Sequence, residues 1–180
     1  MQMPVIPEVT ELRGKLVEVA KTQVGIKEAT GHNDGKEILK YQQAVGLKKG
    51  DAYCVAALAW CHDQLDIPHP VSGWSPDWGK ANVVYRKGEP RPEPFHSRPG
   101  QIGLIFIAAK GRIGHGVMID RETPNHYEVI SFNSTIRGSV DEGEGVIYTI
   151  YRKSTIEKIS DYVGRREYMA GMKEEIKKNK

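Results

Sequence analysis

The sequence lacks the features that mark membrane, secreted and nucleic-acid-binding chains. No apolar run approaches the ~18 residues needed to cross a bilayer. The start, MQMPVIPEVTELRGK, has neither a basic nor an apolar leader segment, so no membrane span and no signal peptide are expected. Cysteine is scarce, with only Cys54 and Cys61 present. On a helix their Cα atoms lie about 10 Å apart by the helical rise, beyond disulfide reach. Both are expected to be free thiols, which fits synthesis in the cytoplasm. The charge excess is small, +3, and part of it sits in the terminal KEEIKKNK, so nucleic acid is not implied as a partner. Repeats, low-complexity tracts and a phosphate-binding glycine loop are also missing, and the glycines of DEGEG lie among acids that would repel phosphate.

What remains is the composition of a globular domain rich in turns, 39% hydrophobic and 27% charged with 19 Gly and 10 Pro. A length of 180 residues predicts one core, placed in residues 1–164, with 165–180 as a charged tail. Leu12, Leu16, Val19, Ala20 and Gln23 form the stripe of an amphipathic helix over residues 11–24. Asp34 followed by Glu37 resembles a capping box opening a second helix through Ile38, Tyr41 and Val45. AYCVAALAWCHDQLDI is small or apolar on nearly every side and predicts a buried helix that stops before Pro68. Pro68 to Gly100 shows no sustained period and reads as a long structured loop, either the wall of a cleft or a cover for the core. Beyond Pro99-Gly100, the segments IGLIFIAA, IGHGVMID, HYEVISFN and GVIYTIYR alternate with turns and predict antiparallel strands. Helices followed by a meander give an α+β fold.

Three residues carry the candidate chemistry. Cys54 falls at the start of the buried helix, where unpaired N–H groups and the macrodipole lower a thiol pKa. It reads either as a nucleophile or as a small buried hydrophobe, while Cys61 is assigned only the second role. His115 is flanked by Gly114 and Gly116, which leave room for another element to approach, and alternation puts it on the face of Val117 and Ile119. If that face meets the buried helix, a Cys–His pair forms. On the next strand Ser131 and Asn133 share a face with Tyr127 and Val129, and Asn133 has a side-chain carbonyl that can accept from an imidazole N–H. Thiolate, imidazole and an orienting polar group are what thiol catalysis on an amide requires. Cys54, Cys61, His62 and His69 lack the short paired spacing of a metal site, so no metal or other cofactor is expected. Asn33 and Asp34 read as helix caps rather than calcium ligands.

In order, VAKTQVGIKEATGHNDGKEILKYQQAVGL, GDAYCVAALAWCHDQLDIPHPVSGWSPDW, RPGQIGLIFI, GRIGHGVMI and EGEGVIYTIYR resemble the CHAP domain. This is the cysteine and histidine-dependent amidohydrolase/peptidase family of bacterial and phage cell-wall enzymes, related to the NlpC-type peptidases. The resemblance covers roughly residues 19–152. It implies a papain-like fold, with Cys54 as nucleophile and His115 as general base, while Asn133 is the orienting residue expected from strand alternation. Tyr53, Trp74, Trp78 and Ser131 become substrate-binding candidates. The implied activity is hydrolysis of a peptidoglycan amide, either between muramic acid and L-alanine or in the stem and cross-bridge peptides, at the bacterial cell wall. Peptidoglycan is then the partner, with no membrane insertion. The alternatives are a silent wall-binding module of the same fold and a cytosolic cysteine peptidase acting on proteins.

Overall fold

The computed structural model describes residues 7–90, 96–135 and 144–164. The expected tail, 165–180, lies outside the described residues. Three helices precede most of a six-stranded antiparallel sheet, so the fold is α+β.

Helix α1 spans Pro7–Lys21 and buries Val9, Leu16, Val17 and Ala20. It starts a turn earlier than the apolar stripe suggested, because proline is tolerated at the first helical position. Helix α2, Lys36–Ala44, is not opened by a capping box. Its N-cap is Gly35 with no side-chain bond. Asp34 instead accepts from the Thr30 N–H and hydroxyl, both at 2.8 Å, closing a local turn that competes with capping. Helix α3, Cys54–Asp63, is buried along Cys54–Ala59 and at Cys61 and His62, as its all-round apolar sequence requires.

The strands are β1 Val83–Arg86, β2 Ile102–Ile107, β3 Arg112–Glu122, β4 His126–Ser134, β5 Gly145–Arg152 and β6 Ile156–Ser160. They lie in the order β1-β6-β2-β3-β4-β5. The four strands expected from the apolar, turn-bounded segments form the meander, and β1 and β6 extend it at the β2 edge. Neither addition was legible. β1 is four residues inside a proline-rich stretch with a register shift at its pairing, and β6 is the half-charged IEKIS. The stretch 68–100 is therefore only partly loop, holding a 3-10 turn at Ser75–Gly79 and then β1.

Alternation along the strands divides the core in two. Ile102, Leu104, Met118, Ile130 and Phe132 pack with the helices, whereas Ile105, Val117, Ile119, Tyr127, Val129, Ile156 and Ile159 form a second cluster. A buried ion pair ties α1 to the chain just beyond β6. The Arg13 guanidinium meets Asp161 at 2.7 and 3.1 Å, and Gln101 Nε2 donates to the same carboxylate at 2.9 Å. Burial pushes the Asp161 carboxyl upward, but Arg13 and Gln101 outweigh it and hold the pKa below its usual value.

The stability contributed by this pair is complete above the unfolded carboxylate pKa of about 4 and is lost as pH falls through the lower folded value. Arg13→Met should lower stability by about 3–5 kcal/mol, because it strands a buried carboxylate. Urea unfolding at pH 7 measures this, and a loss under ~1 kcal/mol would show that water screens the pair.

Candidate active site

The site begins with a contact between α3 and β3 that only glycine permits. A Cβ on Gly116 would lie 2.8 Å from Val55 Cγ1 and 3.4 Å from Leu58 Cδ1, and a Cβ on Gly114 would lie 2.6 Å from Ile107 Cδ1. The two glycines that flank His115 thus make room for α3 and for β2. With α3 this close, the backbone N–H groups of Gly116 and Val55 act to lower the Cys54 thiol pKa, and the sulfur lies 3.7 Å from Ser75 Oγ. Cys54 opens the helix as expected and is 6% exposed, against 0% for Cys61, and both thiols are free.

Helix position alone predicts a lowered thiol pKa, and the structure corrects this. Burial of Cys54 raises its pKa more than Ser75, the Gly116 and Val55 amides and the charge of Lys110 together lower it. The imidazole is shifted in the complementary sense. Burial, with a smaller contribution from Lys110, brings His115 down to about 4. At neutral pH the site therefore holds a thiol and a neutral imidazole.

The route by which His115 reaches α3 also differs from the sequence argument. Val117 and Ile119 lie in the second core cluster and not against the helix. The proximity is through the backbone, since the N–H that meets the sulfur belongs to the residue after His115. Among the described residues no hydrogen bond joins Cys54 Sγ to His115. The imidazole Nε2 lies 2.9 Å from Ser131 Oγ and 3.4 Å from Ser134 Oγ, and the two hydroxyls are 2.5 Å apart. Among the described residues Nδ1 makes no hydrogen bond.

Ser131 and Ser134, rather than Asn133, hold the ring, and the cause is a β-bulge. β4 pairs Phe132 with Val146 and Ser134 with Gly145, leaving Asn133 as an extra residue with φ 54. The insertion breaks alternation, so Ser134 takes the place beside Ser131 that regular counting gives to Asn133. Asn133 meets another group, its backbone N–H donating to the Tyr53 hydroxyl.

The remaining candidates separate by burial. Tyr53 is fully buried and donates to Glu28 Oε1 at 3.0 Å, so it supports the start of α3 and does not face substrate. Trp78 is fully buried with His62, His69 and Tyr162 around it, which removes it from a cleft. Trp74 is 50% exposed and adjoins Ser75 in the chain, the only one of the three aromatic candidates positioned to meet a ligand. A groove lined by Val19, Thr22, Trp60 and Leu65 lies at the far end of α3 and does not reach Cys54. Among the described residues no cluster of His, Cys, Asp or Glu could hold a metal, and no helix is long and apolar enough to cross a membrane.

No protein-family model and no curated protein matches the chain. Among solved structures it is similar to the crystal structure of Ly7917, with 10% identity and a TM-score of 0.44, over 84% of this chain and 62% of that one. That similarity is too weak to carry an argument about function.

Sequence reasoning missed Ser75, Lys110 and Ser134. Ser75 and Lys110 lie in turns without period. Ser134 was detectable only through the tolerance of asparagine for the left-handed conformation, which marks Asn133 as a possible bulge. The shifts predict an acid sensitivity. His62 and His115 are both brought to about 4, chiefly by burial. As pH drops below the ordinary histidine value of about 6.5, the unfolded chain binds protons that the fold excludes, and stability falls until about 4. Thermal melts should show Tm lower at pH 5 than at pH 7.5, with the gap narrowed in His115→Gln. A flat Tm over that range would contradict the burial of these rings.

Proposed function

We propose that the chain is a papain-like thiol amidase of the CHAP type that cleaves an amide bond of peptidoglycan. The reading rests on one observation: α3, which opens with Cys54, packs onto β3 at Gly116, the residue that follows His115, with Ser75 Oγ 3.7 Å from the sulfur. Nucleophile, base and orienting hydroxyls come from α3, β3 and β4, each held by packing and not by a loop.

The chemistry starts from neutral partners. As Sγ attacks the scissile carbonyl its proton must pass to a base, and His115, whose Nε2 is held by Ser131 and Ser134, is the residue proposed for that role. The developing oxyanion takes the backbone N–H of Cys54 at the helix start, with the Ser75 hydroxyl, 3.7 Å from the sulfur, as second donor. Collapse of the adduct breaks the C–N bond. The imidazolium returns its proton to the leaving amine, and water, deprotonated by the same imidazole, cleaves the thioester. Two hydroxyls stabilise an imidazolium less than a carboxylate does, so a modest rate is expected.

A second reading, a wall-binding module without turnover, is favoured by the missing thiol–imidazole hydrogen bond and by the neutral pair. Purified chain incubated with peptidoglycan decides between the two. Muropeptide release supports the amidase, whereas co-sedimentation without release supports the binding module. Cleavage of casein in place of peptidoglycan would indicate a protein-directed peptidase.

Within the amidase reading, Cys54→Ala should abolish release while Cys61→Ala retains it. Ser131→Ala should lower kcat by ~10- to 100-fold, a loss of about 1.4–2.7 kcal/mol in barrier terms. Asn133→Gly should keep most of the rate, because a φ of 54 suits glycine and its backbone N–H is preserved. An unimpaired Ser131→Ala enzyme would remove the serine pair from the mechanism.

A further inference from the structure

We propose that Arg112, stacked on Trp74, is a recognition site for a substrate carboxylate within about three residues of the amide that Cys54 attacks. The inference rests on the amidase reading for its substrate, and it adds a residue and a ligand chemistry that this reading does not supply.

The first support is the state of the arginine. Its Cζ lies 3.7 Å from the Trp74 ring centroid, and Nη1 donates to the Ile113 carbonyl at 2.8 Å, so the guanidinium is fixed at both its face and one edge. Among the described residues it has no carboxylate partner. Other basic side chains of the sheet and its surroundings do: Arg13 meets Asp161, Arg121 meets Glu128, Lys21 meets Asp120 and Lys153 meets Glu122. An arginine held rigid without a counter-charge presents its remaining N–H donors to whatever binds there. A carboxylate matches that fork with two parallel hydrogen bonds.

The second support is exposure. Trp74 is 50% exposed although a large aromatic gains most from burial, whereas Trp78, four residues on, is fully buried. Its position is built rather than incidental. The Trp74 N–H donates to Ser72 Oγ at 3.0 Å, Ser72 in turn donates to Asp77, and the Trp78 indole donates to the Ser72 carbonyl at 3.1 Å. The loop is thereby anchored by one tryptophan in the core while it holds the other at the surface.

The third support is place. Trp74 precedes Ser75, whose hydroxyl touches the sulfur. Arg112 is three positions before His115 on the same strand, roughly 10 Å at the rise of an extended chain. The Arg112–Trp74 pair thus borders the thiol from the side of both the loop and β3, and an extended substrate covers the same span in about three residues. Peptidoglycan stem peptides carry free carboxylates at such a spacing, so the pair would select a carboxylate-bearing stem over its amidated form.

Two soluble stem-peptide substrates that differ only in one carboxylate replaced by carboxamide test this. The wild-type chain should favour the carboxylate form by ~10-fold or more in kcat/KM, the range expected for a charge-assisted pair. Arg112→Gln should bring the carboxylate substrate down to the level of the amide, and Arg112→Lys, which keeps charge but loses the fork, should fall between. Calorimetric titration of Cys54→Ala protein with the same two peptides provides a readout that needs no turnover. Carboxylate-dependent binding that disappears on adding Arg112→Gln supports the site even if no amide is cleaved, in which case only the amidase reading falls. Equal handling of the two peptides by the wild-type chain, or a preference that survives Arg112→Gln, overturns the proposal while leaving the amidase reading to its own assay.

Discussion

The arrangement of the site depends on how closely α3 lies against β3, and Gly116 sets that distance. A Cβ there would lie only 2.8 Å from Val55 Cγ1, so Val55 would have to shift. The helix is made to match, with Ala56, Ala57 and Ala59 among its buried residues, so that little volume separates its axis from the sheet. The approach brings the first turn of α3 to the backbone of β3, which is why the Gly116 amide reaches the Cys54 sulfur. Position is therefore obtained by removing side chains and not by adding polar contacts.

The same packing has an electrostatic consequence. A helix N-terminus favours a thiolate, but the surroundings that hold Cys54 in place also exclude water, and desolvation is the largest influence on both the thiol and the imidazole. Lys110 acts on both groups, favouring thiolate at Cys54 and neutral imidazole at His115. It does not promote the ion pair as a whole, since it stabilises one member and opposes the other. A resting neutral pair follows.

The legible parts of the sequence were those where a single physical requirement dominates. Helix α3 could be read because every face is apolar, and the four meander strands because runs of six or more residues rich in Ile, Val, Phe and Tyr are bounded by turns. Cys54 and His115 were legible as residues with unusual neighbours. What sequence did not reveal arises where two requirements compete. Asp34 serves Thr30 instead of capping α2. β6 is short and charged, yet it is recruited between β1 and β2 because an unpaired edge of β2 would leave backbone groups without partners. The expectation for Asn133 failed for a related reason, as alternation holds only while the ladder is regular. Trp74 and Trp78 lie in one loop with no period to distinguish them, and only the fold shows that one is core and the other surface.

The bulge that displaces Asn133 is itself held by the residue before Cys54. Tyr53 is buried and stacks near Tyr41 with ring centroids 5.9 Å apart. Its hydroxyl donates to Glu28 and accepts the Asn133 backbone N–H. An inserted residue in a strand leaves a backbone donor outside the ladder, and in a buried place that donor must be satisfied elsewhere. Tyr53 supplies the acceptor, and Glu28, which also accepts from the Asn33 N–H at 2.9 Å, orients the phenol so that its oxygen faces β4. One buried side chain thus fixes the start of α3 and the turn of strand that points Ser134 toward His115. The thiol and the support of the imidazole come from elements 80 residues apart in the chain, between Tyr53 and Asn133, yet they are registered to each other through a single oxygen. Since the thiol and the imidazole share no hydrogen bond of their own, this indirect link is what sets their relative placement.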